Sequence, residues 1–333
     1  MPAHRAGAPT PRRAAIARRA ALVARIRDFF AERDVLEVTT PLLGRYATAE
    51  PTLDNLALAR RAAPRYLRTS PESALKRLVA AGAGDIYELG PVFRANERGR
   101  RHREEFAMLE WYRVGFDHRQ LMEEVARLVV HCGYPRAPQP LTYAAAFDAA
   151  LGLDPHTAPT AALAARALEL PLALDSADRG DRALLLDALF AHAVEPELAA
   201  RGAVLLYDFP LVLRAYARLS EAQPPLAERF ELVIDGLEIA NGYHEIVDAD
   251  EQAACFATEN ALRARRGLAA VPPDDDWLAA VRAGMPACAG VALGVERLLM
   301  ATDGLADVAS AMPGDPSGAA CRTSSGFEAA PDV

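Results

Sequence analysis

The pattern of apolar and polar positions predicts a helix near the start of the chain, over residues 12–33. Its large apolar side chains recur at the spacing that one face of an α-helix requires. They are Leu22, Val23, Ile26, Phe29 and Phe30. Residues 35–40 are a candidate for a short strand, which Pro41 ends because proline cannot donate to a strand ladder. Residues 42–64 show little pattern and are predicted to be rich in loops.

A second helix is predicted to open at Ser70-Pro71-Glu72 and to run to about Ala81. Serine is a good N-cap, proline suits the first helical position, and glutamate suits the first turn. Taken alone, this tripeptide indicates only the start of a helix and not a functional site. Further helices are predicted over residues 117–132 and 250–266, and a mainly helical region with proline breaks over residues 140–200.

Residues 92–113 contain two apolar, aromatic-rich segments around a polar loop, which predicts a long-looped β-hairpin. The loop is strongly basic, and Glu97 is the only acid from position 94 to position 103. Its basic residues are Arg94, Arg98, Arg100, Arg101, His102 and Arg103. Because arginine presents a planar charged fork that matches phosphate oxygens, the hairpin is a candidate polyphosphate cradle. The alternative interpretation is a solvated charged loop.

The strand that follows this loop carries Glu110 and Tyr112, two residues apart. Side chains at that spacing point to the same face of a strand. A carboxylate beside a phenol suits an ammonium group, so chemistry for phosphate and for ammonium would adjoin one sheet.

Residues 229–246 form a second informative stretch, in which Asp235-Gly236 between two apolar runs predicts a tight hairpin. Glu238 and Glu245 on the return strand are seven residues apart, so a regular strand would place them on opposite faces. Asn241-Gly242 permits a bulge or bend that could bring the two carboxylates together. The alternative interpretation is that Glu238 and Glu245 are separate acids on the protein surface.

The pattern of residues 290–300 predicts a glycine-flanked strand that runs into a helix, and Arg297 would lie in the first turn of that helix. The N–H groups and dipole at the start of a helix favour anions. Arg297 is therefore a candidate anion ligand, although a surface arginine would show the same pattern.

Composition narrows the classes of function. The 333 residues carry a formal net charge of −8, which argues against a protein whose main task is to bind nucleic acid. The four cysteines show no CxxC spacing, which favours a reducing cytoplasm, and no apolar run suggests a membrane span. Lys76 is the only lysine, a feature that we attribute to composition bias, and no glycine-rich P-loop or GxGxxG motif is present.

The order of these motifs resembles that of the class II aminoacyl-tRNA synthetases. Residues 12–41 resemble motif 1, which forms the dimer interface, residues 93–106 resemble motif 2, and residues 290–297 resemble motif 3. Within the class, the chain is most similar to the lysyl branch, in particular to its truncated paralogues that ligate a lysine-type amino acid to elongation factor P. Motif 1 begins almost at the first residue, which leaves no room before it for an anticodon-binding domain.

The resemblance implies an α+β fold, an antiparallel sheet flanked by helices, over residues 12–310. A helical insertion is expected at about 140–225, and disordered segments at 1–11 and 311–333. A homodimer in the cytoplasm is implied, with ATP and Mg²⁺ as cofactors and elongation factor P, rather than tRNA, as the acceptor. The substrate is expected to be (R)-β-lysine or lysine.

The same resemblance implies roles for individual residues. Arg94 would hold the α-phosphate of ATP and stabilise charge during attack, and Arg297 would bind the γ-phosphate. Other residues expected along the nucleotide are Asn96, Glu97, His102, Arg103, Glu238, Ile239 and Gly294. Those expected around the amino acid are Ser70, Pro71, Glu72, Glu110, Tyr112, Glu245 and Ala292. Glu238 and Glu245 are the expected Mg²⁺ ligands, directly or through water.

The chain departs from the family pattern at several positions. Asn96 stands where motif 2 usually has a glutamate, and His102-Arg103-Glu104-Glu105-Phe106 replaces the usual His-Asn-Pro-Glu-Phe. The usual apolar ending after motif 3 is replaced by residues 311–333, whereas Ala292, where lysyl-tRNA synthetases usually carry glycine, is expected to shape the pocket in favour of (R)-β-lysine. Two alternatives therefore stay open: a ligase that charges another acceptor, and a non-catalytic regulatory protein.

Overall fold

The structure is a computed structural model that describes residues 11–58, 64–171, 175 and 178–312. The disorder predicted for 1–11 and 311–333 falls almost entirely on positions outside these residues. The helices are α1 (Pro11–Ala31), α2 (Glu72–Ala80), α3 (His118–His131), α4 (Tyr143–Leu151), α5 (Thr160–Ala167), α6 (Arg182–Leu189), α7 (Glu195–Arg201), α8 (Ala249–Arg265), α9 (Asp275–Gly284) and α10 (Val295–Asp303). The strands are β1 (Leu36–Glu37), β2 (Leu43–Gly44), β3 (Leu56–Leu58), β4 (Arg65–Leu67), β5 (Ile86–Phe93), β6 (Glu105–Val114), β7 (Gln139–Thr142), β8 (Ala203–Pro210), β9 (Leu226–Ile234), β10 (Leu237–His244) and β11 (Cys288–Gly294).

An eight-stranded sheet runs through the described part of the chain, in the order β1-β5-β6-β11-β10-β9-β8-β7. Its central strands, from β5 across to β8, all pair antiparallel. The two end pairs, β1 with β5 and β7 with β8, are parallel. A small second sheet has the order β2-β4-β3. The predicted α+β class with a largely antiparallel sheet flanked by helices is confirmed.

Adjacent residues on β6 show how helices cover both faces of this sheet. Trp111 and Tyr112 point to opposite faces because side chains alternate along a strand. Trp111 packs in a core with Phe30 of α1 and with side chains of α3 and α10. Tyr112 packs in another core with Leu75 of α2 and Trp277 of α9. The α1 periodicity read from the sequence is confirmed, since Phe30 and its apolar neighbours along that face are mostly buried.

The loop-rich and helical predictions need local correction. Residues 42–64 contain the short strands β2 and β3. The helical run predicted for 140–200 is bracketed by β7 and β8, which belong to the large sheet. Helix α9 has no counterpart among the predictions, although Asp274 caps it by accepting a hydrogen bond from the Trp277 N–H at 2.9 Å. Among the helices of the described residues, none combines the length and the apolar character that a membrane span requires.

Helix α2 starts one residue later than the sequence predicts. Pro71 occupies the N-cap position, and the helix begins at Glu72. The Ser70 hydroxyl still accepts a hydrogen bond from the Glu72 N–H, at 3.4 Å. The sequence therefore misplaced the N-cap by one residue. Ser70 precedes the N-cap residue Pro71, but its hydroxyl still accepts from the first N–H group of the helix.

Candidate active site

A cavity of about 530 Å³ opens over the middle of the large sheet. It is lined from β6, β10 and β11, from the loop between β5 and β6, and from the starts of α2 and α10. Most of the predicted site residues reach it. They are Ser70, Glu72, Arg94, Glu97, His102, Arg103, Glu110, Tyr112, Glu238, Ile239, Glu245, Ala292, Gly294 and Arg297. Pro71 and Asn96 do not belong to its lining.

Arg94 lies where β5 runs into the basic loop. Its guanidinium carbon is 5.2 Å from the centre of the Phe106 ring, within the range of a cation–π contact. Its Nε donates to the Thr69 carbonyl at 3.4 Å, and its Nη1 is 3.7 Å from Glu97 Oε1. These contacts hold Arg94 against the cavity wall without a buried carboxylate to neutralise it.

Arg297 sits in the first turn of α10, as predicted. Its Nη1 donates to the backbone carbonyl of Glu238 at 2.9 Å. Gly294 is the N-cap residue of α10 and makes no side-chain cap, so the first N–H groups of the helix remain available to an anion. Arg94, Arg297 and the start of α10 therefore reach the same cavity, and groups of this kind suit an anion.

The loop that follows Arg94 is held by carboxylates from other parts of the chain. Asn96, in a left-handed conformation (φ 63°), donates through its side-chain amide to Asp54 at 2.9 Å. Arg103 Nη2 lies 3.4 Å from Asp307. Burial and then the positive charge of Arg297 lower the pKa of His102. A neutral imidazole in this place adds no charge to the site but can still donate or accept one hydrogen bond.

The opposite end of the cavity is acidic and deeply buried. Lys76 of α2 is fully buried, with its Nζ 2.7 Å from Glu72 and 2.6 Å from Glu245. Burial opposes its charge, but Glu245 and Glu72 outweigh burial and hold the pKa of Lys76 above its usual value. Burial raises the pKa of Glu245 to about 7 despite the nearby ammonium group. Sequence reasoning missed Lys76, although it is four residues after Glu72 and is the chain's single lysine.

Glu110 and Tyr112 form the inner wall of this acidic end. The Tyr112 hydroxyl donates to Glu110 Oε1 at 2.9 Å. Glu110 Oε2 is buried and has no hydrogen-bond partner in the described part of the chain. Burial, with the negative charge of Glu72, raises the pKa of Glu110 well above its usual range. An unsatisfied buried carboxyl oxygen is costly, so this atom is positioned for a donor that the protein itself does not supply.

Strand β11 makes room for these groups. A Cβ atom at Gly290 would lie 2.3 Å from Tyr112 Cε1 and 2.5 Å from Glu245 Oε1, far inside contact distance. Ala292 pairs in register with Glu110 on the neighbouring strand β6. Glycine at 290 is therefore required by the close approach of the phenol and the carboxylate. Sequence reasoning did not select it.

A β-bulge brings Glu238 and Glu245 to one cavity. On β10, Glu238 pairs with Val233 but Ala240 pairs with Leu232, which leaves Ile239 as an extra residue. The extra residue reverses the side-chain alternation, so both carboxylates reach the same face. The predicted convergence is confirmed, but its predicted cause at Asn241-Gly242 is wrong.

Three acids of the cavity lie outside the predicted set: Glu296 of α10, and a pair that comes from distant parts of the chain. Glu259 of α8 and Glu50 both line it. Burial, and then the charge of Glu50, raise the pKa of Glu259 to about 7. Their positions in sequence, 209 residues apart, gave no signal that they share a site.

Comparison with known proteins agrees with this geometry. The family described as "tRNA synthetases class II (D, K and N)" matches residues 10–313. The chain belongs to this family. Similar curated proteins are named elongation factor P–(R)-β-lysine ligase. That of Vibrio cholerae is 41% identical over 301 residues, covering 88% of this chain and 92% of the relative. That of Pasteurella multocida is 41% identical over 288 residues, covering 85% and 88%.

A third relative of the same name, from Photorhabdus laumondii, is 41% identical over 298 residues, covering 88% of this chain and 92% of its own. The aminoacyl-tRNA synthetase family uses ATP, and these relatives are named as ligases. The class II resemblance read from the motifs is thus confirmed, and it extends over nearly the whole described chain.

Proposed function

We propose that the protein activates a lysine-type amino acid with ATP and transfers it to a lysine side chain of elongation factor P. The names of the relatives support the acceptor. The acidic end of the cavity supports the substrate and is the observation that carries the proposal. There the ammonium group of Lys76 pairs with Glu72 and Glu245, and the neighbouring Glu110 has a buried oxygen without a hydrogen-bond partner among the described residues. A substrate with two ammonium groups supplies the missing positive charge.

In the first step, a carboxylate oxygen of the amino acid attacks the α-phosphorus of ATP, and the bond to pyrophosphate breaks. Arg94 would hold the α-phosphate and meet the charge that develops during attack, while Arg297 would bind the γ-phosphate. Such preorganised positive groups lower the barrier by positioning and charge stabilisation. Glu97, His102, Arg103, Ile239 and Gly294 would complete the nucleotide wall. Asn96 would act on the shape of the loop through Asp54.

A magnesium ion fits the site through Glu238 better than through Glu245. Glu238 lines the cavity beside Arg297, to which its own backbone carbonyl is bonded. One oxygen of Glu245 is engaged by Lys76, so this residue has its other oxygen to offer, directly or through water. When bound, Mg²⁺ would neutralise phosphate charge, and it is commonly held by one or two carboxylates together with the substrate phosphates.

In the second step, the neutral amine of the acceptor lysine attacks the acyl carbon of the adenylate. The bond from that carbon to the phosphate oxygen breaks, AMP leaves, and the amine loses a proton as the amide forms. Glu110 and Tyr112 would hold the substrate ammonium, with Ser70, Pro71 and Glu72 around the amino acid at the start of α2. Pro71 would contribute by setting the entry of the helix, since its side chain lies outside the cavity.

We further propose a preference for (R)-β-lysine over α-lysine, with Ala292 shaping the pocket beside Glu110. One methyl group discriminates only modestly, by about 1–3 kcal/mol, so the preference is measurable but not absolute. In a competition assay with both amino acids, (R)-β-lysine should dominate the product. A clear preference for α-lysine would contradict this assignment.

The decisive experiment incubates the purified protein with ATP, (R)-β-lysine and elongation factor P, and in parallel with lysine tRNA. Intact-mass spectrometry should show one added β-lysyl group on a single lysine of elongation factor P, while the tRNA stays uncharged. Reactions without ATP are the control. Charged tRNA with unmodified elongation factor P would defeat the proposal, and no product in either arm together with no pyrophosphate exchange would indicate a non-catalytic paralogue.

The proposal includes a cytoplasmic homodimer formed through the motif 1 segment. Several large apolar side chains near the start of the described chain are exposed, which supports an interface there. They are Ile16, Leu36, Leu42, Leu43 and Leu58. Light scattering coupled to size-exclusion chromatography should give twice the mass of the chain, and Leu36→Glu should reduce it to a monomer.

A further inference from the structure

Three side chains of metal-binding type meet away from the catalytic cavity. One potential ligand atom each from His118, Glu228 and His244 lies within 4.8 Å of the other two. His244 Nδ1 and Glu228 Oε2 are already 2.6 Å apart. None of the three residues belongs to the cavity lining. The cluster unites the first residue of α3 with the ends of β9 and β10.

The strand register places this cluster on the other face of the sheet. Arg229 on β9 pairs with Tyr243 on β10, and both line the catalytic cavity. Glu228 and His244 are the next residues along these two strands, so their side chains point to the opposite face. The cluster is therefore separated by the sheet from the groups proposed to bind ATP and amino acid.

The imidazole of His118 is buried and has one nitrogen without a partner among the described residues. It is only 5% exposed, and its Nε2 lies 3.3 Å from Asp208 Oδ1. Its Nδ1 is buried and has no hydrogen-bond partner in the part of the chain that the structure describes. Asp208 is itself held by Arg119 at 2.9 Å. In protein metal sites, a histidine ligand commonly donates one ring N–H to a carboxylate and binds the metal through its other nitrogen.

We propose that His118, Glu228 and His244 bind Zn²⁺ or a similar divalent transition metal. Two imidazoles and one carboxylate are a donor set for such ions, whereas Mg²⁺ prefers oxygen ligands alone. Ligand atoms around a tetrahedral zinc ion are about 3.3 Å apart, given bonds of about 2.0–2.1 Å. His244 Nδ1 and Glu228 Oε2, at 2.6 Å, are closer together than this, so metal binding requires side-chain movement. Three protein ligands leave a fourth position for water.

Metal titration of the full-length chain tests the site. Untagged protein is freed of metal with a chelator and titrated with ZnCl₂ against a chelating indicator. One equivalent should bind, and His118→Ala and His244→Ala should each weaken binding at least tenfold. Asp208→Asn should weaken it about 10–100-fold through the outer arrangement. Asparagine tolerates the left-handed backbone at this position (φ 61°), so this variant keeps the fold.

The matched control is His192→Ala, which removes an exposed histidine outside the cluster and should bind Zn²⁺ as the unaltered chain does. Circular dichroism shows whether each variant is folded. Should an alanine variant fail to fold, the Co²⁺-loaded unaltered protein decides, since an intense visible band indicates a four-coordinate ion. A weak six-coordinate spectrum, the absence of a stoichiometric ion, or equal Zn²⁺ binding by Asp208→Asn and the unaltered chain would overturn the proposal.

Discussion

Lys76 Nζ lies 2.6 Å from Glu245 Oε2 and so joins helix α2 to the end of strand β10 at the bottom of the cavity. The ammonium group also stands 4.7 Å from the centre of the Trp277 ring on α9. Both the pocket and the packing of α2 therefore depend on one charged side chain that is almost completely buried.

We predict that Lys76→Met destabilises the protein strongly. The substitution leaves Glu72 and Glu245 without their buried counter-ion, and breaking such a pair costs about 3–5 kcal/mol. Urea unfolding should show the loss as a lower midpoint. Arg77→Met is the matched control, since Arg77 is partly exposed and pairs with Asp276 at 3.6 Å. Equal, small losses in both variants would show that the buried pair contributes little.

We predict that Glu110→Gln weakens the amino acid but not ATP. Glutamine keeps the shape of the side chain but cannot ionise when the ammonium group of the substrate binds. The loss should be about tenfold to a hundredfold, the range of a hydrogen bond to a charged group. Calorimetry measures both ligands, and Glu105→Gln, an exposed acid on the same strand, is the control. Parallel losses for both ligands would point to structural damage instead.

We predict that Arg94→Ala and Arg297→Ala each slow adenylate formation on the order of a hundredfold or more, because each removes a preorganised positive group. ATP–pyrophosphate exchange measures this step without the acceptor. Arg98→Ala is the control, since Arg98 lies in the same loop but does not line the cavity. Near-normal exchange in Arg94→Ala would remove Arg94 from the mechanism.

Stability should fall as the pH rises through about 7, in part because of Glu259. Its pKa is about 7 in the folded protein and lower in the unfolded chain, so the folded state binds the proton more tightly. The contribution of Glu259 to the free energy of unfolding is complete below its pKa in the unfolded chain. It is lost as the pH rises through its pKa in the folded protein. Glu259→Gln should reduce the slope of unfolding free energy around pH 7 by up to about 1.4 kcal/mol per pH unit. Glu123→Gln, at an exposed acid, should leave the slope unchanged.

Local chemistry explains what the sequence could predict. The Asp235-Gly236 turn forms because both residues take positive φ values, 50° and 72°, as this tight hairpin requires. Likewise, Asp117 caps α3 in a capping box whose residues are neighbours in sequence. These signals lie within a few residues, so periodicity and turn chemistry reveal them.

The features that the sequence could not predict depend on packing between residues that are far apart in the chain. The pairing of Lys76 with Glu245 joins residues 169 positions apart, and composition alone made the single lysine look incidental. The crowding around Gly290 depends on Tyr112 from a neighbouring strand. The bulge at Ile239 arises from the register with β9 and not from the flexible Asn241-Gly242 pair. Such relationships exist only once the strands are paired.

The extra residue at Ile239 makes the number of residues in β10 as consequential as their identity. Deleting a single residue between Gly236 and Asn241 would restore regular alternation and turn Glu238 away from the cavity, with every proposed ligand still present in the sequence. Inserting a residue there would have the same effect. This short segment should therefore tolerate substitution at Ile239 by another apolar residue far better than any change of length.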